Sequence, residues 1–432
     1  MKIILLKDRD YRSQLDMLAA RPAVPPEIEQ AVAGILAEVR EDGDDALCRF
    51  LEKFDKVKLT PEQFRVTEEE LREAEKQAGR AARHAVSLAL KNIRTFARLT
   101  KPVSWRKKVR PGVILGEEFH PMDRVACYVP GGTAPLVSTA IHTVGIAKAA
   151  GVRCVVAMTP PMKDGKVNPM TLYALKKAGA DEIYKLGGAY AVGALAYGTQ
   201  TIRKAEMIAG PGNAFVAAAK KLVYGNVAID MVAGPSEVMV IADGSSRPEF
   251  AAADVLSQAE HGSGLERALL VSDSEEFIFR VRDEIMRQAD SLKRQGPLRK
   301  VLENGVTLVQ VRDMNEAAAF AGDYAPEHLE IHCRNAAAVA KKVRAAGALF
   351  IGEWTPEPAG DFTAGPSHVL PTGGTARFFH GLSAMDFLRR SSLVQYTQEA
   401  LKKEIPAIVK FAEMEGLDAH GKSAAIRGKN ND

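Results

Sequence analysis

Apolar residues recur at helical spacing through the first hundred residues of the chain. Ala31, Ile35, Leu36, Val39, Leu47 and Leu51 fall on one side of successive turns, and 61–99 is a second long amphipathic stretch rich in charge. From Arg124 the texture changes to short β-branched runs. Residues 125–129, 152–158, 182–186 and 206–209 read as buried strands, with helices between them at 133–150, 170–178 and 190–197. The alternation recurs through 238–242, 268–272, 306–311 and 348–351. Strand-helix-strand alternation predicts parallel sheets covered on both faces. The two stretches are of similar size, as duplication would leave them, although no repeat is visible in the residues themselves. After about 382 the chain becomes charged and reads as a helical tail.

Composition narrows this little. The 432 residues suggest two or three domains at about 150 residues each. A net charge of +4 gives no basic face for nucleic acid, and the short cluster Arg106-Lys107-Lys108 with Arg110 reads as a solvated surface segment. The four cysteines form no C-x-x-C pair, which argues against a disulfide scaffold and a thiolate zinc site. The N-terminal residues turn charged too soon for a signal peptide. Residues 125–147 carry no Asp, Glu, Lys or Arg, yet Pro130, Gly131, Gly132, Pro135 and His142 interrupt them, so no spanning helix is expected. The expectation is a cytoplasmic protein with neither a membrane nor a nucleic-acid partner.

Candidate chemistry lies in the glycine turns and the histidines. Tyr128-Val129-Pro130-Gly131-Gly132-Thr133 and Gly210-Pro211-Gly212-Asn213-Ala214 both follow predicted strands. A glycine turn that opens a helix presents unpaired backbone N–H groups suited to phosphate, although neither matches G-x-G-x-x-G. Among nine histidines, His261 follows Gln258-Ala259-Glu260 and precedes a glycine-rich stop. On a helix Gln258 and His261 share one side. Glu327-His328 sets a carboxylate beside an imidazole after Pro326, while Asp361 and His368 sit in a glycine-rich loop and His420 follows Glu415 near the end. His84, His120, His142, His332 and His380 lack such context and read as structural or surface residues. Imidazole, carboxylate and amide ligands suit zinc without thiolate, and a Glu-His pair can supply two bases. With a dinucleotide turn, the natural reaction class is alcohol oxidation.

These motifs together strongly resemble the histidinol dehydrogenase family. The matching segments run from about residue 30 to 426. They include the two glycine turns, Ile229-Asp230-Met231, Ala233-Gly234-Pro235-Ser236-Glu237, Gln258-Ala259-Glu260-His261 and Ala325-Pro326-Glu327-His328-Leu329-Glu330. Gly360-Asp361, His368-Val369-Leu370-Pro371-Thr372 and Glu415-Gly416-Leu417-Asp418-Ala419-His420 complete the series. The resemblance implies an α/β fold: two Rossmann-like lobes with parallel sheets, and helical N-terminal and C-terminal segments forming an intertwined homodimer. The expected division is 1–25 for dimerisation, 26–123 with 238–381 as the first lobe, 124–237 as the second, and 382–432 as a tail crossing to the partner subunit.

The same resemblance implies one Zn2+ per subunit, held by Gln258, His261, Asp361 and, from the partner, His420. Glu327 and His328 match the catalytic pair. Ser236, Glu357, His368 and Glu415 match substrate contacts, joined by the ligand residues and His328. Tyr128, Tyr190 and Asn213 stand at NAD-contact positions. The implied reaction is the four-electron oxidation of L-histidinol to L-histidine through bound L-histidinal, the last step of histidine biosynthesis. Departures occur at Tyr190, where glutamine is usual, at Gly262-Ser263, at Ser367 in place of asparagine, and at Phe362 in place of tyrosine. They leave as alternative a paralogous NAD-dependent dehydrogenase of another small polar alcohol, such as a sulfonated diol.

Overall fold

The computed structural model describes residues 1–20, 25–131, 135–261 and 263–429. The chain forms two compact units, Met1–Thr100 with Asp123–Phe387, and Lys101–Met122 with the chain from Leu388 onward. Gly132, Thr133 and Gly262, singled out above, lie outside the described residues, as do 21–24 of the N-terminal segment.

The first unit holds two parallel sheets. Six strands run in the order Lys2–Ile4, Val306–Gln310, Arg267–Ser272, Glu237–Ala242, His328–Ile331 and Ala348–Ile351. Five more run in the order Glu182–Tyr184, Cys154–Met158, Arg124–Tyr128, Met207–Ala209 and Ala228–Ile229. The expected α/β class and parallel sheets are present. The apolar runs form strands here because both faces of each sheet are buried, and alternate residues serve opposite cores. Met239, Ile241, Leu269 and Val309 pack on one side of the larger sheet, Val238, Val240, Leu270 and Leu308 on the other. Between strands of the smaller sheet, the helix Val137–Ala150 is apolar around most of its circumference and ends at Gly151, whose φ of 102° only glycine adopts cheaply. Asn168 starts the next helix by accepting from the N–H groups of Met170 and Thr171.

Three features of the organisation stand beside the expected division. The N-terminal helices were grouped with 238–381, but the helix Pro26–Asp42 buries Val32, Leu36 and Val39 against the smaller sheet's layer, in one core with Ala126, Val192 and Ile208. An amphipathic stripe shows that a helix is covered without naming what covers it. Residues 1–25, assigned to dimerisation, include Lys2–Ile4, which forms an edge strand of the larger sheet with Ile4 buried. Finally, 101–122 leave the first lobe, and the segment after 382 is not all helical. Trp105–Arg110 and Leu388–Tyr396 flank Val113–Pro121 in an antiparallel sheet of the second unit, followed by the helices Gln398–Glu415 and Asp418–Ala425. Trp105–Arg110 is exposed along its whole length, so its basic residues are solvated as expected, on an edge strand. Among the described residues no helix is long and apolar enough to cross a membrane.

Candidate active site

The helix Met314–Tyr324 ends at Ala325, a non-glycine residue with φ of 52°, and the chain turns through Pro326 into the strand His328–Ile331. That turn drives Glu327 and His328 into the protein, where both are buried. The neighbouring strand supplies their partners from a single residue. The Glu237 backbone N–H donates to Glu327 Oε2 at 2.8 Å, and the Glu237 carbonyl oxygen lies 3.0 Å from His328 Nδ1. A carbonyl only accepts, so Nδ1 carries a proton and Nε2 is the nitrogen that faces the remaining cluster.

That cluster is acidic. His328 Nε2 lies 3.3 Å from Asp361 Oδ1 and 3.7 Å from Glu357 Oε1. Burial opposes charge on the His328 ring, but Glu327, Asp361 and Glu357 outweigh it and raise its pKa well above the ordinary value. Burial likewise works against the Asp361 carboxylate, yet the His328 ring holds it well below the usual range. Glu327 is pushed up to about 8 and Glu357 to about 9, chiefly by burial. Glu357 accepts from the Ser257 hydroxyl at 3.1 Å, and its backbone N–H donates to Glu330.

Gln258 and His261 end the helix Pro248–Ala259 and its turn, with Gln258 Nε2 3.0 Å from His261 Nδ1. Gln258 is fully buried and its Oε1 has no hydrogen-bond partner. The Asp361 carboxylate acts electrostatically on the His261 ring. A buried, unpartnered amide oxygen beside imidazole and carboxylate is a donor set that fits a divalent cation. Among the described residues, two groups bring their potential ligand atoms within 4.8 Å of one another: His328 with Glu357 and Asp361, and Asp254 with Glu330 and His332. Ser236, half-buried, immediately precedes Glu237. His368 stacks on His142 at 4.2 Å, its Nδ1–H donates to the Asp361 carbonyl, and its Nε2 lies 3.1 Å from the Thr139 hydroxyl. Ser367 donates to the His142 carbonyl and accepts from the Val369 N–H, which fixes the loop. Phe362 is exposed. Glu415 and His420 belong to the second unit, at the end of Gln398–Glu415 and within Asp418–Ala425, and both are exposed.

Residues 129–131 of the first glycine turn and the turn 210–213 stand at carboxyl ends of strands in the smaller sheet, where open parallel sheets bind ligands. Asn213 is exposed and caps the helix Ala214–Val223, accepting from the N–H groups of Phe215 and Val216. Tyr128 and Tyr190 are buried, at 4% and 1% exposure. The Gly188 N–H donates to the Tyr128 hydroxyl at 2.9 Å, while Tyr190 donates to Asp55 at 2.5 Å and accepts from the Gly187 N–H. Tyr190, expected at a cofactor-contact position, thus has its hydroxyl committed to Asp55 and to the Gly187 N–H.

Sequence reasoning missed several members. The backbone of Glu237 carries no side-chain signature, though it lies in the Ala233–Glu237 motif. His142 and His332 were read as structural or surface residues. His142 lies under His368 and accepts its backbone N–H. His332 Nε2 is 2.9 Å from Glu330 and 3.5 Å from Asp254, a second buried cluster directly behind Glu357.

Comparison with known proteins gives the family. The family model described as histidinol dehydrogenase matches residues 20–428. The chain is 43% identical to the histidinol dehydrogenase of Syntrophotalea carbinolica, with all of both chains covered. It is 42% identical to that of Methanothermobacter thermautotrophicus, with 98% of each covered. The crystal structure of histidinol dehydrogenase from Elizabethkingia anophelis superposes with a TM-score of 0.93 at 34% identity, covering 99% of this chain and 98% of that one. With nearly the whole chain matched in sequence and in fold, it belongs to the histidinol dehydrogenase family.

Proposed function

We propose that the protein oxidises L-histidinol to L-histidine through bound L-histidinal, as the final step of histidine biosynthesis. The observation that carries this reading is the Glu327–His328 pair, two different bases held by one residue, Glu237, with His328 facing Glu357 and Asp361. His328, protonated at Nδ1 by its bond to Glu237, presents Nε2 to take the alcohol proton during the first oxidation. The Asp361 carboxylate, when committed to a cation, no longer holds a proton on that nitrogen. An aldehyde carries no hydride-donating alcohol, so a second base is needed to activate the water that hydrates it. Glu327 fills that part. Glu357 receives the substrate amine, and Ser236, His368 and the partner subunit's Glu415 line its remaining polar contacts.

Zn2+, one per subunit, would be held by Gln258, His261 and Asp361 with His420 of the partner subunit, and would anchor the substrate imidazole and amine rather than exchange electrons. NAD, bound at the turn 210–213 beside Tyr128 and Asn213, would accept the hydride in each of two successive oxidations. The exposure of His420 and Glu415 in their own chain supports a homodimer that completes the site. The test is turnover with L-histidinol and NAD. Two NADH per L-histidine support the reading; no turnover of L-histidinol, with another polar alcohol oxidised, would transfer the same residues to the paralogous activity.

A further inference from the structure

We infer that Lys220 and Asp230 are a positioning pair that clamps the turn 210–213 and ties it to the loop leading to Ser236 and Glu237. The inference rests on the reading that this turn takes NAD. Asp230 follows the strand Ala228–Ile229, and Lys220 lies on the helix Ala214–Val223. Their side chains form an ion pair and are only 1% and 2% exposed. Asp230 Oδ2 accepts from the Gly210 N–H at 2.7 Å, and Lys220 Nζ donates to the Gly210 carbonyl at 2.9 Å. Both backbone polar groups of one residue are thus held by the two halves of one ion pair.

Gly210 has little freedom of its own. Its φ is 117°, and a Cβ there would stand 2.3 Å from the Tyr128 carbonyl oxygen. The turn is therefore pressed against the end of the strand Arg124–Tyr128 and fixed from the other side by Lys220 and Asp230. Asp230 Oδ1 also accepts from the Met231 N–H at 2.6 Å, at the head of the segment that reaches Ser236 and then Glu237. The same carboxylate fixes the start of both the cofactor turn and the loop whose end holds Glu327 and His328.

Stability alone does not account for the pair. Desolvating two charges costs about what their attraction returns, and apolar residues of similar volume serve a core as well. What a buried pair supplies here is direction, since its two side chains meet the Gly210 N–H, the Gly210 carbonyl and the Met231 N–H in one arrangement.

The test uses the full-length enzyme, with NAD binding and L-histidinol binding measured separately by calorimetry. The variants are Lys220→Met and the double change Lys220→Met with Asp230→Asn, which removes the unpaired buried charge. The double variant should recover the melting temperature lost in the single one. In Asp230→Asn the side-chain oxygen can still accept from the Met231 N–H, while the amide nitrogen cannot accept from the Gly210 N–H. The double variant should therefore still bind NAD roughly tenfold more weakly, the scale of one misplaced hydrogen-bonding group, with L-histidinol binding changed by less than about twofold. Unchanged NAD affinity, or equal weakening of both ligands, overturns the inference. Failure of the unaltered enzyme to bind NAD overturns the cofactor reading and this inference with it. Should both variants lose their fold, hydrogen exchange in the unaltered enzyme decides. NAD is expected to slow exchange of the Gly210 and Met231 amides, and no change there counts against the clamp.

Discussion

The carbonyl oxygen of Glu237 lies 3.0 Å from Nδ1 of His328, so the ring has one proton fixed toward the neighbouring strand and its other nitrogen turned toward Asp361 and Glu357. Replacing His328 by Asn keeps a side-chain donor for that carbonyl and removes the base. The expected result is a loss of about 10²–10⁴ in the first oxidation, with L-histidinol affinity changed far less. Single-turnover NADH formation measures it, and a first oxidation at the unaltered rate would show that the alcohol proton leaves by another route.

Glu327→Gln should separate the two oxidations. Glutamine still accepts from the Glu237 N–H but cannot take a proton from water, so the second oxidation slows much more than the first and L-histidinal accumulates. Equal loss in both half-reactions would remove the water-activating role. The pH dependence has a definite sign: burial raises the Glu327 pKa to about 8, and the base form is the ionised one. The second oxidation should therefore rise with pH through about 8, and Glu327→Gln should abolish that rise.

Asp254 and Glu330 make stability itself depend on pH. Burial, with Glu330 beside it, pushes Asp254 up to about 8, and burial alone pushes Glu330 up to about 7 against the hydrogen bond from Asp254. In the unfolded chain carboxyls ionise near about 4, so the folded protein keeps protons that the unfolded one has released. The stabilisation from this pair is complete below about pH 4 and is lost as pH rises through 7 and 8, by about 1.4 kcal/mol per pH unit for each proton concerned. Denaturant midpoints between pH 5 and 9 should fall more steeply in the unaltered protein than in Asp254→Asn, and parallel curves would exclude the pair as the cause.

A site completed by the partner predicts complementation. His420→Ala and His328→Ala are each expected to be inactive. Random exchange of subunits makes about half the dimers mixed, each with one intact site, so activity should return to about one quarter of the unaltered level. Mixed dimers without activity would place His420 in the site of its own chain.

The residues differ in how openly they announce themselves. Cys154–Met158 and Glu237–Ala242 are readable because a parallel strand buried on both faces must be an uninterrupted apolar run. His328–Ile331 was missed as a strand because two of its four residues ionise, although all four are buried. The sheet joining 105–121 to 388–396 was invisible for another reason: its strands are largely exposed, and their partners are remote in sequence. Glu327, His328, Gln258 and Asp361 stood out through the company they keep in motifs. Lys220 and Asp254 did not, because one charged residue on a helix looks like any solvated one until the fold buries it.

The pairing of Lys2 with Thr307 has a consequence for synthesis. The smaller sheet and the helices that cover it lie wholly within 26–229, so that layer can consolidate once this stretch has left the ribosome. The larger sheet must wait for Val306–Gln310 and then Ala348–Ile351, a delay on the order of ten seconds at ordinary elongation rates. During that interval the strand Lys2–Ile4 carries backbone groups whose partners are not yet made. That strand is thus open to mispairing until its partner has been made.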